Sequence, residues 1–169
     1  LLINLGSPES PSTKDVKTYL NEFLMDKYVI DIAYPLRALL VKGLILNTRP
    51  KNSAKAYQKI WTDQGSPLIT ISMETRTKLE ETLNIPVFCA MRYGNPSIKD
   101  TLKTIHKKHP SITELCVIYM YPHYAESSVR TAQEAFKKEL KRQKSPLKIH
   151  TIPPFYKHPD YIAALADTI

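Results

Sequence analysis

Two short stretches hold the residues best placed for chemistry. The first is VFCAMRYGNPSI, Val87 to Ile98, in which five apolar residues run straight into Arg92 and Tyr93 and then a Gly-Asn-Pro-Ser break. An arginine offers a planar fork that grips a carboxylate at two points. A tyrosine offers a flat apolar face with a polar tip. The second stretch is YMYPHYAESS, where His123 stands between Tyr121 and Tyr124. A histidine can hold a metal or move a proton near neutral pH. Each residue also has a plainer reading: Arg92 can pair with an acid inside the protein, and His123 can be structural. The chain has no Gly-x-Gly-x-x-Gly, no Walker loop and no Gly-x-Ser-x-Gly, so dinucleotide, nucleoside triphosphate and serine hydrolase sites have no motif. Paired Cys or His at metal-site spacing are missing too, and His106 and His109 lie on a polar helix end that reads as solvated.

The elements around these residues give them a common address. Leu1–Leu5, Val87–Tyr93, Glu114–Tyr121 and Lys148–Pro153 are short apolar runs with little alternation, as expected for parallel strands covered on both faces. Helical patterns fall over Lys14–Met25, Ser53–Trp61, Thr70–Leu83, Ser97–His109 and Ser127–Lys144, with a last helix starting near His158. Ser12 or Thr13 is the expected cap of the first. This order predicts an α/β fold: a Rossmann-like parallel sheet of about four strands with flanking helices and right-handed crossovers. Ligands of such sheets bind beyond the carboxyl ends of the strands. Those ends read NLGSPES, MRYGNPS, MYPHYAESS and PPFYKHP. Gly6 and Gly94 are at these turns and Gly65 is in DQGSPL, where positive φ or close backbone approach is available.

The link between the first two strands is long and contains YPLRALLVKGLIL, Tyr34 to Leu46. It is too short to span a bilayer, which takes about 20 apolar residues. An apolar helix broken by Arg37 and Lys42 suits a core, a membrane interface or a lip over a ligand.

The 169 residues suffice for one domain. The 24 basic against 16 acidic residues give a formal charge of +8, which suits an anionic partner but is scattered along the chain. Cys89 and Cys116 both fall in apolar runs and read as buried free thiols of a reducing, cytoplasmic setting. No signal peptide is visible, and a start at Leu-Leu-Ile predicts that both ends are cut.

INLGSPESP, YLNEFLMD, RPKNSAKAYQKIWTDQGSPL, AMRYGNPSI and YMYPHYAESS, in this order and spacing, resemble the N-terminal half of the ferrochelatases, which insert ferrous iron into a porphyrin to make haem. The variant resembles the bacterial protoporphyrin enzymes, because Leu5 stands where coproporphyrin-specific members have tyrosine. The resemblance implies an N-terminal chelatase domain over 1–169, the first of two similar domains with the porphyrin in the cleft between them. It implies that Leu5 touches the macrocycle near the metal. Arg49, Tyr57 and Ser66 would lie near the propionates, with Arg49 and Ser66 as carboxylate partners, while Arg92 and Tyr93 would line the pocket. His123 stands where the family has Gln or His and is the candidate metal contact on this chain. Residues 29–46 would be the apolar lip at the porphyrin mouth.

The resemblance places the catalytic histidine and its acidic partner in a second half, so no main catalytic residue is expected in this one. The implied mechanism removes two pyrrole protons from a distorted macrocycle, with metal delivery by histidine and carboxylate. The implied partners are protoporphyrin IX, ferrous iron as substrate and a membrane surface, with no nucleic acid. The implied location is cytoplasmic, peripheral to the inner membrane. No cofactor is expected in this half; an iron–sulfur cluster, where relatives carry one, uses later cysteines. The competing readings are a porphyrin- or haem-binding module without catalysis, a cobalt or nickel tetrapyrrole chelatase, and an α/β domain for another small carboxylate.

Overall fold

The computed structural model describes residues 1–168. Its strands are β1 (Leu2–Asn4), β2 (Cys89–Met91), β3 (Glu114–Tyr119) and β4 (Lys148–Ile152). They form one parallel sheet in the order β2-β1-β3-β4, with Leu2 opposite both Cys89 and Ile118. The sequence places the strands correctly but makes all four of them longer than they are. Arg92, Tyr93, Leu5 and Tyr121 fall beyond the strands, in the turns.

Helices α5 (Ile98–Lys108) and α6 (Thr131–Arg142) cover one face. Ile98, Leu102, Ile105, Ala132 and Phe136 pack there on Ile3, Ala90, Leu115, Val117 and Tyr119. Ser97 caps α5 by accepting the Asp100 amide, and Ser12 caps α1 (Thr13–Leu24) by accepting the Asp15 amide. On the other face, α4 (Pro67–Leu83) brings Leu68, Ile69, Met73 and Leu79 against Leu2, Val87, Cys89 and Met91. That cover thins toward β3, where Ile118 and Met120 pack against it only partly buried. Along β3, Glu114 and Cys116 face out while Leu115 and Val117 face in, and most of β4 is exposed. The expectation of a sheet covered on both faces therefore holds in full for β1 and β2 only. Cys116 is an exposed thiol rather than a buried one, because α4 leaves an open cavity of about 300 Å³ beside its side of β3. Helix α7 (Pro159–Ala166) follows β4 and buries none of its residues.

The long link is one nearly continuous helical rod: α2 (Tyr34–Ala38), a π-helical segment π1 (Leu39–Ile45) and α3 (Leu46–Ile60). The sequence reading starts this last helix at Ser53, seven residues late, and Pro50 lies inside it. The rod tolerates Pro50 because the hydrogen-bond register changes from π to α at Leu46, four residues before the proline, where a regular ladder would be disturbed. The rod packs on α1 through Val16, Leu20, Leu24, Val41, Leu46 and Ala54. Its other side is bare: Leu36, Leu39 and Leu44 are 61%, 70% and 58% exposed. That exposure rejects a core helix for this segment. A second π-helical segment, π2 (Glu126–Arg130), leads into α6. Among the described residues no helix is long and apolar enough to cross a membrane.

Candidate functional site at the carboxyl edge

Three strand ends converge at the carboxyl edge. The Arg92 amide donates to the Asn4 carbonyl at 2.7 Å and the Tyr93 amide to the Leu5 carbonyl at 2.9 Å, carrying the β1–β2 pairing past the strands. The two chains come so close that neither turn has room for a side chain. Gly6 has φ +102°, and a Cβ there would lie 1.8 Å from the Tyr93 carbonyl oxygen. Gly94 has φ +76°, and a Cβ there would lie 2.8 Å from the Ser7 carbonyl oxygen. Both angles are in the left-handed region that glycine adopts freely.

Arg92 does not present a free guanidinium. Its Nη2 donates to Asp26, and its Nε donates to Thr131 Oγ1 at 2.8 Å. Tyr93 is wholly enclosed, with its hydroxyl 2.9 Å from Asp26 Oδ2 and its ring edge-on to Tyr19 and Phe23. The expected grip of Arg92 on a ligand carboxylate therefore gives way to the plainer reading, and Tyr93, expected to line the pocket, is enclosed. The arginine pairs with an internal acid, and the tyrosine is core beneath the edge. Burial alone would raise the Asp26 carboxyl. Hydrogen bonds from Thr131 and the Tyr28 amide, the Arg92 charge and the Tyr93 hydroxyl outweigh it and hold the carboxyl below its ordinary value. Burial pushes the Tyr93 hydroxyl upward, so it stays protonated and donates.

The other sequence-derived residues are spread around this centre. Leu5 is half-buried at the β1 turn. Ser66 is buried and lines a cleft of about 470 Å³ with Ser7, Trp61, Gly65, Asn95 and Pro96. Tyr57, on α3, stands edge-on between Tyr19 and Trp61, with ring centroids at 6.4 and 6.3 Å. Arg49 is exposed on the same helix and makes no ion pair among the described residues. His123 is exposed beyond β3, its ring stacked on Tyr156 at 5.1 Å. Leu5 thus joins Tyr93 through backbone pairing, and Tyr57 reaches Tyr93 through Tyr19. Arg49 and His123 lie outside that contact network. No group of three or more potential metal-ligating side chains occurs among the described residues.

Sequence reasoning missed Asp26, Thr131 and Tyr19. The one available signal was the Asp that closes the apolar helix in YLNEFLMD, an acid in reach of an otherwise buried arginine. A second cavity, of about 620 Å³, opens beside this group, lined by Glu22, Asp26, Arg37, Arg92, Thr131 and Lys138 among others.

The profile of the ferrochelatase family matches residues 1–169. The chain is 46% identical to a ferrochelatase of Pseudomonas entomophila (strain L48) over 98% of its length and 49% of the relative. It is 48% identical to a ferrochelatase of Opitutus terrae over 98% of its length and 48% of that protein. It is 41% identical to Ferrochelatase 2 of Shewanella oneidensis over its whole length and 53% of that protein. It spans about half the length of the curated relatives it matches. With the parallel sheet, the paired glycine turns and this match along the whole chain, the protein belongs to the ferrochelatase family.

Proposed function

We propose that this chain is the porphyrin-gripping half of an enzyme that inserts ferrous iron into protoporphyrin IX, with both as substrates. One observation carries the reading. In a chain of this family, an apolar rod with bare leucines is tied to the carboxyl edge through Tyr57, Tyr19 and Tyr93. An apolar macrocycle with two carboxylates fits such a place: leucines against the ring, and a cation and hydroxyls toward the acids. Leu5 would touch the ring, Arg49 and Ser66 would take the propionates, and Tyr57 would stand beside them. Arg92 and Tyr93 would support the floor without gripping, and His123 would be the metal contact on this side. This half needs no cofactor of its own, and the principal base lies outside it.

The test uses full-length protein titrated with protoporphyrin and followed by its Soret band, then with ferrous iron for turnover. Arg49→Ala is expected to raise the porphyrin KM ten- to a hundredfold, as losing a charge-assisted hydrogen bond of about 1.5–3 kcal/mol does. An unperturbed Soret band overturns the reading, and binding without turnover makes the protein a porphyrin carrier.

The same rod would rest on a membrane surface, placing the enzyme in the cytoplasm at the periphery of the inner membrane. Leu39→Asp with Leu44→Asp is expected to weaken partition onto liposomes at least tenfold, since each buried leucine contributes about 1.5 kcal/mol or more. The far-UV circular dichroism should stay native, because both side chains are exposed. Unchanged partition removes the membrane contact.

A further inference from the structure

Asp26 follows the last turn of α1, and separate parts of the chain meet on its carboxylate. Oδ2 accepts from Arg92 at the end of β2, from the Tyr93 hydroxyl at 2.9 Å and from Thr131 at the start of α6. Oδ1 accepts the Tyr28 amide at 2.8 Å, and the Asp26 carbonyl accepts the Val29 and Ile30 amides at 3.1 and 3.0 Å. The carboxylate thus winds the turn that follows it. That turn is held from its far side by Arg37, in the first helical turn of the apolar rod. Its Nη1 donates to the Ile30 and Ile32 carbonyls, both at 3.0 Å. Arg37 is buried although its neighbours Leu36 and Leu39 are bare. A third hold comes from π2, where Arg130 lies over the Tyr28 ring at 5.1 Å while pairing with Glu126.

Two kinds of force therefore join the rod to the domain. The apolar contacts of Val41, Leu46 and Ala54 on α1 set its distance but are non-directional. Hydrogen bonds are directional. The polar chain from Arg92 through Asp26, the turn and Arg37 fixes how the rod is rotated and how far it reaches over the edge.

We propose that Asp26 is a positioning residue: its carboxylate, acting through the 26–32 turn and Arg37, holds the apolar rod in place against the carboxyl edge of the sheet. Its consequence for catalysis rests on reading that edge as the porphyrin cleft; the positioning itself does not.

Hydrogen exchange and steady-state kinetics on the full-length protein separate the two. Asp26→Asn keeps the shape and an acceptor but loses the charge. Amides of residues 28–40 are then expected to accelerate at least tenfold more than those of β1 and β3, which follow only the loss of overall stability. The porphyrin KM should rise about tenfold, with kcat falling less. Thr131→Val, on α6 rather than on the rod, should give the same pattern more weakly, and it carries the test if Asp26→Asn does not fold. Exchange that accelerates equally in β1 and β3 overturns the proposal, because Asp26 is then a general support of the domain. Unchanged exchange over 28–40 overturns it as well. Faster exchange concentrated in 28–40 with an unchanged KM upholds the positioning and removes the porphyrin reading of the cleft.

Discussion

Arg92→Leu in the full-length protein lowers stability by about 3–5 kcal/mol, the usual cost of removing one partner of a buried ion pair. Asp26 is 9% exposed, and without Arg92 its charge has no counter-charge. For a domain of this size each kcal/mol moves the melting temperature by about 2–4 °C, so a fall on the order of 10 °C is expected. Arg92→Leu combined with Asp26→Leu should recover much of the loss, since an apolar pair needs no compensation. The pH dependence follows from the depressed Asp26 carboxyl. Its contribution is complete above the unfolded-state value, about 3.9, and is lost as pH falls through the lower folded-state value. The variant should therefore lie below the unmodified protein at neutral pH and approach it in acid. Thermal melts from pH 7 to pH 3 check this; a melting temperature unchanged at pH 7, with a large rise in porphyrin KM, would return Arg92 to the role of ligand grip.

Gly6→Ala should be at least as damaging. A Cβ would sit 1.8 Å from the backbone oxygen of Tyr93, a residue whose amide is held by the Leu5 carbonyl, so one strand end must move. Strained φ costs about 1–3 kcal/mol and overpacking about as much again, giving a loss of about 4 kcal/mol. Gly65 supplies the control. Its φ of +106° is nearly the same, but nothing lies within 4 Å of its would-be Cβ, so Gly65→Ala should cost only the conformational part, about 1–3 kcal/mol. Denaturant midpoints of the two variants, measured side by side, isolate the steric contribution. Equal midpoints would mean that the two strand ends do not approach this closely.

The sheet was legible because each strand is an apolar run between turn residues, and the helices because Ser12, Ser97 and Pro159 mark their starts. Two things were not legible locally. The rod across Pro50 depends on a change of hydrogen-bond register, which no side-chain pattern announces. The bare side of β3 and β4 depends on how far α4 reaches, a tertiary fact: Cys116 is apolar, so its exposure does not show as a polar position in the run. The site was half legible. The stretch ending in Arg92 and Tyr93 led to the right edge, but their roles are set by Asp26, which lies 66 residues from Arg92 in the chain. A pair so far apart leaves no periodic trace, and an acid at the end of a helix reads as solvated.

The uneven cover of the sheet also gives it a direction of growth. At the β2 border, the outward Met91 amide is already taken by the Pro96 carbonyl at 2.7 Å, and the Cys89 carbonyl accepts the Thr101 hydroxyl at 3.4 Å. A new strand finds few open valences there. At the opposite border, nothing among the described residues pairs with the outer side of β4, whose residues Lys148, His150, Thr151 and Ile152 are in solvent. An open border of this kind recruits extended chain. The sheet is therefore a one-ended template: any strand that lengthens it, from this polypeptide or from another, adds beside β4.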